Sequence, residues 1–498
     1  MIVEPLSHLR SRAKDNWLRG LDMQQLVQLT EIRYQELQHW RTKALPTVLL
    51  SDSDPLTFLA SFIAACSVQS PVFLCNPHWT KQERQLVLEQ VQPDLIWSQV
   101  EWSRENGKAP DYLKSDRQTP ESCPQAGWIM IPTGGSSGQI RFAIHTWNTL
   151  MASVAGFREY FQVNQVNACC VLPLYHVSGL MQFMRSFTSD GSLIHLPFKA
   201  VEHGLENTTR FQPSECFLSL VPTQLQRLLQ TPTSTAFLSQ FHTVLLGGAP
   251  AWTDLLTLAR QQQIRLAPTY GMTETASQVV TLQPADFLRG QTGCGQVLPH
   301  AQIIIRDQEG RSLPPNQTGL VTIQTPALAL GYYPQPFTSS EFQTDDLGYF
   351  DSDGYLHLIG RNSHKIITGG ENVFPIEVEA AIRSTGLVSD VCVFGLPDSE
   401  WGEAVTAAYV PTATSVTIAS LQTALSDRLS RFKQPKRWIA LDQIPHNAQG
   451  KANYHHLKQL FLSHSLEVID LTGELVGKDA HNGSIASNDI SCDRHPCL

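Results

Sequence analysis

Residues 47–98 read TVLLSDSDPLTFLASFIAACSVQSPVFLCNPHWTKQERQLVLEQVQPDLIWS, and their rhythm decides the fold class. Apolar runs at 47–52, 71–75 and 94–99 alternate with helical patterns at 54–65 and 79–91. Strands separated by helices in this way point to βαβ units on a parallel sheet, because parallel neighbours need a crossover long enough to hold a helix. The same device recurs along the chain. GWIMIPT, ACCVLPL, CFLSLV, TVLLGGAP and IRLAPTY are further strand candidates, most of them running into a Gly, Pro or Ser/Thr loop. Ligands of open α/β sheets bind beyond the carboxyl ends of the strands, so the chemistry is expected in those loops.

After about Arg361 the pattern becomes a small α+β unit. It has a helix at 374–383, strands at 390–396 and 404–410, a helix near 421–429 and a strand at 437–441. From residue 474 the chain is polar and rich in Gly, Ser, Asn and Asp, with no period, which reads as a disordered tail. The expected fold class is α/β: a large N-terminal domain of parallel-rich βαβ subdomains over 1–361, a small C-terminal α+β domain over 362–468, and a tail over 469–498.

Composition narrows the function. The 498 residues are 42% hydrophobic and 16% charged, with a formal net charge of -9. A negative balance argues against nucleic acid, whose binding depends on a basic surface. The most apolar early stretch, 58–74, is broken by Ser61, Ser67, Gln69, Ser70 and Pro71, and a bilayer span needs about 20 mostly apolar residues. No export signal is readable at the start, and the ten cysteines show no zinc spacing, so a cytoplasmic protein with reduced thiols is expected.

Several segments are candidates to carry the chemistry. Thr133-Gly134-Gly135-Ser136-Ser137-Gly138 follows a strand and suits phosphates, because glycines let backbone N–H groups approach and hydroxyls donate further bonds. It is not a P-loop, since Gln139 stands where a Lys-Ser/Thr pair is required. Arg141 adds a charge. Next, Tyr270-Gly271-Met272-Thr273-Glu274 supplies a ring able to stack on a base, a hydroxyl, and one carboxylate of the kind that holds Mg2+ together with substrate phosphates. Downstream come Thr344-Asp345-Asp346, Arg361, Gly369-Gly370 and, after a Gly turn, Lys451. Taken singly, each has an ordinary reading as a flexible turn, a helix cap or a solvated side chain.

Taken in order, these segments resemble the adenylate-forming superfamily of acyl-CoA synthetases, peptide-synthetase adenylation domains and luciferases. The resemblance runs from the early βαβ units to Lys451 and implies that superfamily's fold, with ATP and Mg2+ used for adenylation and coenzyme A as co-substrate. It implies that Thr133, Gly134, Gly135, Ser136, Ser137, Gly138 and Arg141 hold phosphates. Gly248, Tyr270, Gly271, Met272 and Thr273 would bind the nucleotide, Glu274 the metal, and Asp346 with Arg361 the ribose. Lys451 would drive adenylation with His176 as a further catalytic residue, and Gly369 and Gly370 would flank the CoA thiol. Two departures stand out: Gln139 in the phosphate loop, and Asp345 where glycine is usual, which places a second carboxylate beside the ribose site and strains a turn.

The stretch Pro173-Leu174-Tyr175-His176-Val177-Ser178-Gly179-Leu180, with Arg185 beyond it, is most similar to the o-succinylbenzoate-CoA ligases of menaquinone and phylloquinone synthesis. Their acid is an aromatic dicarboxylate. By this resemblance Arg185 meets the aryl carboxylate, and His176 and Ser277 line the same pocket. A ligase for another acid, and a nucleotide-binding homologue without turnover, remain the alternatives.

Overall fold

The computed structural model describes residues 4–41, 45–102, 124–134, 140–203, 211–445, 452–463, 468–469 and 475–476. The quoted stretch folds as its rhythm requires. Strands Leu95–Ser98, Val48–Ser51, Val72–Leu74 and Ile129–Gly134 lie side by side in that order, all parallel. Ile140–His145 then closes this seven-stranded sheet antiparallel to Ile129–Gly134, followed by the short strands Gly331–Tyr332 and Gln335–Pro336. The crossover helix Pro55–Val68 starts on Asp54, whose carboxylate accepts the Thr57 N–H at 2.8 Å, and stops at Gln69, a left-handed residue with φ 61°. Helix Lys81–Val91 starts on a Thr80–Glu83 capping box.

A second, eight-stranded sheet runs Leu18–Arg19, Leu193–His195, Asn167–Cys170, Cys216–Leu220, Thr243–Leu246 and Leu266–Met272 in parallel, then Ser277–Thr281 and Gln296–Val297 in antiparallel. One apolar cluster joins the two sheets through helices Pro55–Val68 and Val177–Thr188, where Phe62 meets Phe183 edge-on at 6.1 Å. Truncating either ring costs about 3–5 kcal/mol on typical core values. Helix Val177–Thr188 is buried over the whole of 179–187, including Gln182 and Arg185. A polar residue held in that position needs a partner.

Strands Gln302–Arg306, Gly319–Gln324, Glu341–Phe350 and Leu356–Arg361 form a separate antiparallel sheet. Here Thr344–Tyr349, also readable from sequence as a turn, lies inside a strand, because Leu347 and Gly348 pair with Leu320 and Gly319. The C-terminal sheet is ordered Glu371–Val373, Ile366–Thr368, Gly402–Pro411, Val388–Asp398, with Arg437–Ala440 beside Gly402–Pro411. Helices Pro375–Arg383 and Ile418–Leu425 cover its core through Val378, Ile382, Leu421 and Leu425. The second helix begins earlier and ends sooner than expected, because Thr417 caps it and the chain leaves the helix after Leu425. Within the stretch expected to be disordered, Leu475–Val476 pairs with Val468–Ile469. These two apolar pairs interrupt the polar composition there. Among the described residues no helix is long and apolar enough to cross a membrane.

Candidate active site

The sequence expected to bind phosphate begins at the end of strand Ile129–Gly134, which forms a β-hairpin with Ile140–His145. Thr133 pairs with Arg141 and Gly134 with Ile140, and Gly135, Ser136, Ser137, Gly138 and Gln139 lie outside the described residues. The hairpin brings Thr133 to Glu274, with Oγ1 at 3.5 Å from Oε1. The Tyr332 hydroxyl donates to that same oxygen, and the Arg141 guanidinium sits over the Tyr332 ring at 4.3 Å. Burial first, and then the Glu274 charge, push the Tyr332 hydroxyl well above its ordinary range, so it stays protonated and donates. Tyr332 was not a candidate from sequence. It arrives because the short strand Gly331–Tyr332 pairs with Ala143, a juxtaposition no local motif signals.

Glu274 is held by a tight reversal. Strand Leu266–Met272 turns through a single 3-10 turn at Thr273–Thr275 into Ser277–Thr281, and both Ala276 (φ 48°) and Ser277 (φ 96°) take left-handed backbone. Such strain persists only where surroundings fix it. Thr275 Oγ1 accepts the Met272 N–H and donates to the Ser277 carbonyl at 2.6 Å, while His145 Nε2–H donates to the Thr273 carbonyl at 2.7 Å. A Cβ on Gly271 would come within 2.2 Å of the Ser277 carbonyl oxygen, so only glycine fits. His145 is fully buried, which lowers its pKa to about 4.

The residues expected to bind the nucleoside also converge. Tyr270 donates its hydroxyl to Asp346 at 2.7 Å, and Arg361, directly opposite Asp346 in the sheet, places Nε 3.5 Å from the same carboxylate. Gly248 follows the strand beside Tyr270's own, with φ 83° and Val221 as its neighbour. Asp345 departs from expectation. The strand is bulged here, its register against Gly319–Gln324 slipping between Gln343 and Leu347, and the Asp345 carboxylate binds the Ser363 N–H at 3.1 Å and the Ser363 hydroxyl instead of joining Asp346. Its backbone is not left-handed, and no turn is strained there.

Arg185 lies deep in helix Val177–Thr188, 2% exposed, with Nη2 at 3.1 Å from Ser277 Oγ and 3.3 Å from Gln278 Oε1, and its guanidinium 4.1 Å over Phe157. Burial pulls its pKa down to about 9, and no carboxylate among the described residues pairs with it. Ser277 and Arg185 therefore do meet, as expected. His176 caps the start of the same helix, buried beside Tyr175, and nine residues of helix put it roughly 13 Å along the axis from Arg185. The two mark opposite ends of one helix.

Gly369 (φ 59°) and Gly370 (φ 84°) form the turn between Ile366–Thr368 and Glu371–Val373. Gly369 donates to the Trp401 carbonyl at 2.8 Å, and space beyond Gly370 is open. No described hydrogen bond joins this turn to the Glu274 or Arg185 groups. Lys451 lies outside the described residues. A cleft of about 210 Å³ opens at the carboxyl ends of strands from both large sheets, lined by Asp52, His78, Tyr175 and His195 among others. It shares no lining residue with either group.

The chemistry of the Glu274 group fits a hard divalent cation. One carboxylate and a hydroxyl suit Mg2+, which keeps waters and shares substrate phosphates rather than filling an all-protein cage.

Comparison with known proteins places most of the chain in one family. The model for AMP-binding enzymes matches residues 43–333, and that for the AMP-binding enzyme C-terminal domain matches 377–451. A 2-succinylbenzoate–CoA ligase of Enterococcus faecalis is 33% identical over 344 residues, covering 68% of this chain and 70% of that one. One of Listeria monocytogenes is 29% identical over 436 residues, covering 82% and 88%. The solved o-succinylbenzoate CoA synthetase of Bacillus subtilis, in complex with its acyl-adenylate intermediate, gives a TM-score of 0.75 at 23% identity and covers 91% of this chain and 97% of that chain. That last likeness speaks for the fold. With the larger model spanning more than half of its length and the smaller one following in order, the chain belongs to the AMP-binding enzymes.

Proposed function

We propose that the chain is an ATP-dependent acid–CoA ligase acting through an acyl-adenylate, and that its acid is o-succinylbenzoate. The observation that carries the choice of acid is Arg185. A guanidinium buried without a carboxylate partner is costly, and an acid with a second carboxylate supplies the missing charge. Relatives matched over two thirds of the chain bear the name of that activity.

In the first half-reaction an oxygen of the acid's free carboxylate bonds to the α-phosphorus of ATP, and the bond from that phosphorus to pyrophosphate breaks. Catalysis is chiefly positioning and charge stabilisation. Thr133, Arg141 and the loop that follows Gly134 take the phosphates, Asp346 accepts ribose hydroxyls while Tyr270 and Arg361 fix its carboxylate, and Lys451 bridges carboxylate and phosphate. Glu274, with Thr133 beside it, would hold magnesium, which when bound neutralises phosphate charge. In the second half-reaction the CoA thiol loses its proton to solvent, its sulfur bonds to the acyl carbon, and the bond from that carbon to AMP oxygen breaks, so that AMP leaves. His176, at the helix start, is the further catalytic residue in this reading. The unit from residue 362 acts as a lid that pivots at 361–363 and brings Gly369 and Gly370 to the thiol. We place the enzyme in the cytoplasm, with reduced thiols: the seven described cysteines are all free.

The test is pyrophosphate release from ATP and Mg2+ with o-succinylbenzoate, benzoate, a cinnamate and a fatty acid, each with and without CoA. Release selective for o-succinylbenzoate, with a thioester formed, is the expected result. Release with another acid alone would keep the mechanism and overturn the acid.

A further inference from the structure

Arg185 has a neighbour that the sequence did not single out. His300 follows strand Gln296–Val297 in a segment held against Ser277–Thr281, with the Leu298 N–H donating to the Val279 carbonyl at 2.8 Å. Its backbone carbonyl accepts the Thr325 hydroxyl at 2.9 Å, which fixes the residue from the other side. Both ring nitrogens are buried and have no hydrogen-bond partner among the described residues, and the same holds for Nε of Arg185.

One helix supports both side chains. Arg185 lies over Phe157, and His300 lies over the residue before it, Gly156. A Cβ on Gly156 would stand 1.8 Å from His300 Nδ1, so the imidazole occupies the space that glycine leaves. Glycine inside helix Trp147–Phe161 is less favourable than alanine, and here it makes room for the ring. Burial, and then the Arg185 charge, lower the His300 pKa to about 4. At neutral pH the ring is therefore uncharged and carries one N–H donor. Among the described residues, Arg185 is the charged group whose field reaches the ring, and Thr325 holds its backbone carbonyl. An uncompensated guanidinium with three buried nitrogens awaiting acceptors or donors is a site built for an anion with two oxygens.

We propose that His300 is a further specificity-determining residue: its ring N–H completes, with Arg185 and Ser277, the subsite for the non-reacting carboxylate of the acid. This rests on the dicarboxylic substrate argued above. A guanidinium alone can accept many anions, whereas a second donor at a fixed angle selects one carboxylate position on the aromatic ring.

The experiment compares wild type, His300→Leu and His300→Gln in pyrophosphate release, with o-succinylbenzoate and with 3-benzoylpropionate, which lacks the ring carboxylate. His300→Leu keeps volume and loses the donor, and it is expected to raise the KM for o-succinylbenzoate by about tenfold or more, as loss of one hydrogen bond to a charged group does. The KM for ATP and activity on 3-benzoylpropionate should stay within about twofold of wild type on the same grounds, and His300→Gln, which keeps an N–H, should recover part of the loss. Should His300→Leu fail to fold, His300→Ala, which leaves room above Gly156, takes its place with the same expectation. A KM for o-succinylbenzoate unchanged in the donor-less variant of an otherwise active enzyme would overturn the subsite. A wild-type enzyme that releases no pyrophosphate with o-succinylbenzoate but does so with another acid would overturn the choice of acid itself, and the subsite with it.

Discussion

Asp345 binds Ser363 through both backbone and side chain, its carboxylate accepting the Ser363 N–H at 3.1 Å and the Ser363 hydroxyl. The contact ties strand Glu341–Phe350 to the 3-10 turn Asn362–His364, just past the end of strand Leu356–Arg361. One residue on, Asp346 holds Tyr270 and Arg361. Two adjacent carboxylates of one strand thus hold different partners, the first at the proposed pivot and the second at the proposed nucleoside site.

If that anchor holds the pivot in the observed arrangement, Asp345→Ala should favour the alternative one. Thioester formation from preformed acyl-adenylate should then quicken by about two- to tenfold, the worth of one or two modest hydrogen bonds. Adenylation should change less. Single-turnover measurement of the two half-reactions decides it, and equal effects on both would speak against a pivot anchor.

Glu274 receives hydroxyls from Tyr332 and Thr133. Glu274→Gln keeps the shape and removes the charge, so pyrophosphate release should fall by roughly a hundred- to thousandfold, with a higher Mg2+ requirement. Tyr332→Phe removes one donor to an ionised group, worth about 1.5–3 kcal/mol, and should raise the Mg2+ concentration for half-maximal rate without abolishing turnover. A Mg2+ titration of both variants is the check. Identical curves for wild type and Glu274→Gln would remove the metal role.

How much of this was legible in the sequence follows from how local each signal was. The βαβ order was readable because strand and helix periods differ within a few residues, and Thr133, Glu274, Asp346 and Arg361 because they stand in ordered motifs. Tyr332 and His300 were not. Each is brought in by pairing of distant strands, Tyr332 beside Ala143 and His300 along Val279, and neither has a distinctive local context. Asp345 was misplaced for a related reason: its partner Ser363 stands 18 residues on and comes beside it only when strands 341–350 and 356–361 pair. The link from Arg185 to Ser277 was legible through the family resemblance, yet the distance between Arg185 and His176 emerges only when both sit on one continuous helix.

Arg185 is expected to decide the acid. Arg185→Ala leaves the second carboxylate buried and unpaired, which costs about 2–5 kcal/mol. The ratio of kcat/KM for o-succinylbenzoate over 3-benzoylpropionate should collapse, while KM for ATP stays near wild type. Arg185→Lys should restore only part, since an ammonium cannot reproduce the contacts to both Ser277 and Gln278. A retained preference for o-succinylbenzoate in Arg185→Ala would refute the pairing.

His145 sets an acid limit. Its Nε2–H holds the Thr273 carbonyl next to Glu274, and complete burial keeps the ring neutral, with a pKa of about 4 against an ordinary value of 6.5. Below pH 6.5 the unfolded chain takes up a proton that the folded chain refuses, so stability is fully present above that pH and falls as the pH drops toward 4. Integrated over this window, the loss between pH 7.5 and 5 is about 2 kcal/mol. His145→Gln keeps an N–H for Thr273 and cannot titrate. Its urea midpoint should be lower than wild type at pH 7.5, if the amide fits less well, but should fall less between pH 7.5 and 5. Parallel declines in the two proteins over that interval would show that the acid sensitivity lies elsewhere.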